Sequence, residues 1–78
     1  MRVISQGRNY SFDFDRTVFW TQYNIIYAKI GIDSVAIGKY ESEERAAEVF
    51  EDMHEFLCRA LTISCGNPIY AIYYMPKE

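Results

Sequence analysis

From Ala46 to Leu61 the apolar side chains recur at helical spacing, through Ala46, Val49, Phe50, Met53, Leu57, Ala60 and Leu61. That period makes a single stripe of about five turns which must be covered by something else in the chain. Ser42 is a good cap for such a helix, and Glu43 and Glu44 suit the positive end of its dipole. The spacing predicts a helix over about residues 43–61, stopping before Gly66-Asn67-Pro68. The cover has to come from the forty residues before it and the dozen after.

Those forty residues read as strands. Arg2 to Gln6 is the first, and Gly7-Arg8-Asn9 supplies turn chemistry. Next comes a strict alternation, with Tyr10, Phe12 and Phe14 on one face and Ser11, Asp13 and Asp15 on the other, the mark of a half-buried strand. The two segments predict an N-terminal hairpin. Thr17 to Gln22 and Ile25 to Ile30 are rich in β-branched and aromatic residues, with Tyr23-Asn24 as a tight connection. Gly31-Ile32-Asp33 then turns the chain into Ser34 to Tyr40. Connections this short favour antiparallel neighbours, so the expectation is a meander of about five strands. A last uncharged run, Ile69 to Met75, is short enough to be a final strand and is closed by Pro76. One helix on one face of an antiparallel sheet is a two-layer α+β fold.

With 78 residues the chain is expected to be one domain, 1–78. A domain of that size buries only roughly 60 % of its unfolded surface, so its stability margin is thin. Its net charge of −3 argues against bulk attraction to polyanions. The charge is unevenly placed, because residues 41–55 hold Glu41, Glu43, Glu44, Glu48, Glu51, Asp52 and Glu55 against Arg45 alone. No apolar run approaches the roughly 20 residues that cross a bilayer, and the N-terminus does not read as a signal peptide. Two cysteines, Cys58 and Cys65, are too few for a disulfide scaffold. A reducing, cytoplasmic setting follows as the expectation.

Four groups of residues invite a chemical reading. His54 and Cys58 are four apart on one helical face, with Cys65 in reach, but a structural zinc site needs four ligands and no fourth is evident. The expectation is a half-exposed histidine beside two small buried thiols, with no metal. Asp13 and Asp15 pair on one strand face, where polarity is what an outward face requires. Glu44–Glu48, Glu48–Asp52 and Glu51–Glu55 are like-charge pairs, each costing about 0.2–0.5 kcal/mol on an isolated helix. Glu44, Glu48, Glu51 and Glu55 therefore read as a solvated face, with docking of a basic protein as the functional alternative. Lastly, Trp20, Tyr23 and Tyr27 stand among Arg8, Arg16 and Lys29, a combination that can stack bases. No basic stripe accompanies them, so nucleic acid ranks behind protein as a partner. No phosphate-binding or dinucleotide glycine pattern is present, and no catalytic, cofactor-binding or metal residue is assigned.

Two stretches carry a resemblance. Met1-Arg2-Val3-Ile4-Ser5-Gln6, and Tyr40-Glu41-Ser42-Glu43-Glu44-Arg45-Ala46 at the helix start, resemble a group of small proteins from Gram-positive bacteria, their phages and integrated elements. In that group M-R-V/I-I-S/N-Q opens the sheet and Y-x-S/T-x-E-x-A opens the main helix. The resemblance covers about a quarter of the chain. It implies an intracellular, mobile-element setting, and it brings no activity and no functional residue.

The segment from Ile69 to Met75 is the strongest functional signal. Ile69, Ala71, Tyr73 and Met75 fall on one face and Tyr70, Ile72 and Tyr74 on the other, with no charge between them. A single helix covers only one face. The expectation is a non-enzymatic interaction module, a homodimer or higher homo-oligomer, with Tyr70, Ile72 and Tyr74 in the interface. A small nucleic-acid-binding accessory protein using the aromatic sheet face is the alternative, and a thiol- or metal-dependent enzyme comes third.

Overall fold

A computed structural model describes the backbone of residues 1–63 and 71–78, and the side chains of residues 1–59 and 71–78. The fold is α+β. In chain order it runs β1 (Arg2–Ile4), β2 (Ser11–Asp13), a 3-10 turn (Phe14–Arg16), β3 (Phe19–Gln22), β4 (Ile25–Ile30), β5 (Asp33–Lys39), α1 (Glu43–Ile63) and β6 (Ile72–Tyr74).

Among the described residues the strands form two three-stranded sheets rather than one continuous meander. β3, β4 and β5 are the meander, antiparallel throughout. β1 and β2 make the N-terminal hairpin, with Val3 opposite Phe12. The sheet breaks between β2 and β3 because Asp13 ends the strand and caps the next turn, its Oδ1 accepting from the Asp15 N–H at 3.1 Å. Aspartate competes for its own backbone in this way wherever a local bond is in reach. β1 instead finds its second neighbour in β6, in parallel, with Val3 beside Tyr73.

The helix begins where the capping pattern puts it. The Ser42 Oγ accepts from the Arg45 N–H at 3.1 Å, and the helix runs to Ile63, two residues past the expected end. Its stripe of Ala46, Val49, Met53 and Leu57 is buried against both sheets. Val3, Phe12 and Tyr73 meet it from the first sheet, and Ile26, Ala28 and Ile37 from the second. Phe19 joins the two, its ring 6.1 Å from Phe12 at 87° and 5.9 Å from Phe14.

Gln6 holds the sheets together at their other end. Its N–H donates to the Ile37 carbonyl at 2.8 Å. Its side-chain amide donates to the carbonyls of Lys39 (2.9 Å) and Lys77 (2.7 Å), while its Oε1 accepts from the Lys39 N–H at 2.8 Å. Gln6, two residues after β1, thus lies along the free edge of β5 and satisfies it at Ile37 and Lys39.

Candidate interaction site

β6 is the edge of the first sheet, whose order is β2-β1-β6. Ala71, Tyr73 and Met75 point into the core, as the alternation requires. Ile72 and Tyr74 point the other way and are 42 % and 57 % exposed. Tyr70 and Ile69, the remaining members of the expected strand, lie outside the described residues. The backbone follows the same alternation. The Ala71 carbonyl accepts from the Arg2 N–H at 2.9 Å, and the Met75 N–H donates to the Ile4 carbonyl at 3.1 Å. The N–H and C=O groups of Ile72 and Tyr74 therefore turn away from β1, toward the sheet edge.

The open face of this sheet carries Arg2 beside Ile72 and Ile4 beside Tyr74. Arg8 closes over the end of it. Its guanidinium lies 5.2 Å from the centre of the Tyr74 ring and donates to the Met75 carbonyl at 3.0 Å. Nothing in the sequence joins Arg8 to Tyr74, which are 66 positions apart. The link comes from the turn after β1, where Arg8 takes a left-handed conformation (φ 62°) and its N–H bonds the Ser5 carbonyl.

Each buried tyrosine has its hydroxyl satisfied. Tyr73 donates to Asp52 Oδ2 at 2.8 Å, and burial, followed by that bond, holds its phenol well above the ordinary range. Tyr40 donates to the Pro76 carbonyl at 2.9 Å. Burial pushes the Tyr40 phenol up to about 12, against the opposing pull of Arg45 and Arg8. Beside it Lys39, Glu41, Ser42, Arg45, Lys77 and Glu78 line a cleft of about 340 Å³. The Arg45 guanidinium there is already bonded to the Glu78 carbonyl and to Glu48 Oε1, the latter at 2.6 Å.

The second sheet shows its outer face in three rows. Trp20, Tyr27 and Ala36 form the middle one, and the Trp20 and Tyr27 rings stack at 5.6 Å and 16°. Gln22, Ile25 and Lys39 lie on one side of it, and Val18, Lys29 and Ser34 on the other. Of the cations that the sequence groups with these aromatics, Arg8 sits on Tyr74 and Arg16 pairs with Asp13 at 3.8 Å. Tyr23 stands exposed at the tip of the β3–β4 hairpin with φ 56°.

The other expected groups are placed as follows. Glu44, Glu48, Glu51 and Glu55 are all exposed on α1, with Glu48 paired to Arg45 and Glu55 to Arg59. Asp13 and Asp15 do not share a strand face, because Asp15 belongs to the 3-10 turn that Asp13 caps. His54 packs between Phe50 and Phe14, with ring centres 4.4 and 5.3 Å away, and its Nδ1–H donates to the Phe50 carbonyl at 2.8 Å. Cys58 is exposed, not buried as expected, since it follows the buried Leu57 by one residue and so sits about 100° around the helix. Cys65 lies outside the described residues. Among the described residues no three His, Cys, Asp or Glu side chains gather where a metal ion could sit, and no helix is long and apolar enough to cross a membrane.

No protein family, curated protein or solved structure matches the chain.

Proposed function

We propose that the protein is a non-enzymatic interaction module that assembles with copies of itself through β6. The observation that supports this is that, among the described residues, β6 is an edge strand with neither a charge of its own nor a segment paired along it. Natural edges are blunted by charge, proline, bulges or a covering segment. β5 has two of these, the Gln6 cover and a register shift opposite Ile26 and Tyr27. β2, three residues long like β6, has two polar ones, and β3 ends in Thr21-Gln22. β6 has Ile72 and Tyr74 exposed on its open face, no charge between Ala71 and Met75, and its free backbone groups turned outward.

A second β6 about a two-fold axis would meet those groups in antiparallel register and join two three-stranded sheets into one. The apolar side chains on the open face would then lie side by side across the joint. Docking of a basic protein on the acidic helix face is a reading with less behind it, since Glu48 and Glu55 already hold arginines of their own chain.

The test is mass in solution at micromolar concentration, for the wild type and for Ile72→Lys with Tyr74→Lys. Both side chains are exposed in the single chain, so the lysines bury no charge there and the circular dichroism should be unchanged. The wild type is expected to run as a dimer or larger and the double variant as a monomer. A wild-type monomer, or an oligomer indifferent to both lysines, defeats the reading.

A further inference from the structure

We propose that the outer face of the second sheet is a weak, sequence-tolerant platform for single-stranded nucleic acid, with Trp20 and Tyr27 stacking bases and Lys29 and Lys39 holding phosphates. The face is turned away from the core, because Phe19, Ile26, Ala28, Val35 and Ile37 use the other side of the same strands. The aromatic pair stands in the middle of the sheet, half-buried and stacked ring on ring, so a base can extend the stack from either end. Lys29 and Lys39 flank it in the two outer rows. Lys39 lies opposite Ile25, four residues from Lys29 along β4, which sets the two cations roughly 13 Å apart in the strand direction.

Charge decides the class of partner. None of the nine positions on this face is a carboxylate. Glu41 and Glu78 share a cleft with Lys39, whereas the acids from Glu43 to Glu55 belong to the helix layer, on the far side of the core. A helix diameter of about 10 Å separates the outer side of that layer from the sheet. That exceeds the screening length of about 8 Å at physiological salt, so a net charge of −3 does not cancel the local field of the two lysines. From sequence the cations near Trp20 and Tyr27 are scattered and nucleic acid ranks low. The strand register is what brings Lys39 to the face, opposite Ile25 and in the row beside Tyr27.

Trp20 is the only tryptophan, so its fluorescence reports this face in the unlabelled full chain. Twelve-residue oligothymidylate and oligouridylate are titrated in parallel arms between 50 mM and 300 mM salt. Saturable quenching is expected in both arms, with half-saturation between about 1 and 100 μM near physiological salt. The log–log salt slope should be near −1.4, at about −0.7 for each of two neutralised phosphates. Tyr27→Ala should weaken binding about tenfold or more, and Lys29→Ala with Lys39→Ala should flatten the slope. Ile72→Lys with Tyr74→Lys should leave the titration unchanged, which separates this face from the β6 interface. No quenching at 200 μM oligonucleotide in 50 mM salt overturns the proposal. Equal quenching by poly-glutamate, or a Trp20 signal that changes on dilution without oligonucleotide, does so too, by pointing to an acidic protein or to a second copy on this face.

Discussion

Gly38 and Tyr40 meet Met75, 35 positions further along the chain than Tyr40, where β5 leaves the sheet. A Cβ placed on Gly38 would stand 2.7 Å from Met75 Cε and 2.9 Å from Tyr40 Cε2. The methionine end can move, but the Tyr40 ring cannot. Its hydroxyl is bonded to Pro76, and its backbone N–H and C=O are both bonded to Asn24. Gly38→Ala is expected to destabilise by about 1–3 kcal/mol through overpacking, read as a fall in the denaturant midpoint with the slope unchanged. Tyr40→Phe leaves the Pro76 carbonyl without its donor and should cost about 1 kcal/mol.

Tyr40 also sets a pH dependence. The unfolded phenol ionises near 10 and the folded one near 12, so above pH 10 the unfolded chain loses its proton first. The stability this group contributes is complete below pH 10 and is lost as the pH rises toward 12. Tyr73 acts in the same direction. Urea unfolding between pH 8 and 11.5 should show a plateau followed by a decline, and the decline should be shallower in Tyr40→Phe. None of this contact geometry was legible in sequence. Tyr40 reads there only as the last residue of a strand, because spacing reveals a residue's face but not which distant residue shares it.

At the scale of elements, the helix was the most readable part, since its period, its cap and its first-turn acids all agree. The Ser42 cap has a definite value. Ser42→Ala removes the acceptor of the Arg45 N–H and is expected to lower stability by about 1 kcal/mol, measured by thermal or urea unfolding at neutral pH. The hairpins β1–β2, β3–β4 and β4–β5 were equally readable, being joined by short turns. What sequence missed is non-local. β1 pairs with β6 across some 70 residues, and neither strand's pattern names its partner. The run from Tyr10 to Asp15 alternates without a break, yet it stops being a strand at Asp13, where one side-chain bond to the Asp15 N–H outweighs the pattern. Phe14 still packs inward against Phe19, so the alternation kept its packing and lost its ladder.

For the whole molecule, one helix serves as the common cover of two sheets, so among the described residues each sheet keeps an open face and β6 stands at an edge of the first. The candidate site was half legible at this scale. Apolar residues on both faces of Ile69 to Met75 pointed to β6, and Ile72 and Tyr74 are indeed exposed while Ala71, Tyr73 and Met75 are buried. That β6 would stand at an edge, with Arg8 folded over Tyr74, required the parallel pairing to β1. Self-assembly through this edge makes a statement about individual amides. In a single chain the Ile72 and Tyr74 N–H groups turn away from β1, whereas those of Tyr73 and Met75 lie on the ladder side. Hydrogen exchange resolved by residue, at high and at low protein concentration, separates the two cases. Self-assembly through β6 protects Ile72 and Tyr74 at high concentration, and that protection is lost on dilution, while Tyr73 and Met75 stay protected throughout. Protection of Ile72 and Tyr74 that does not change with concentration, or an oligomer in which both amides exchange freely, would contradict it.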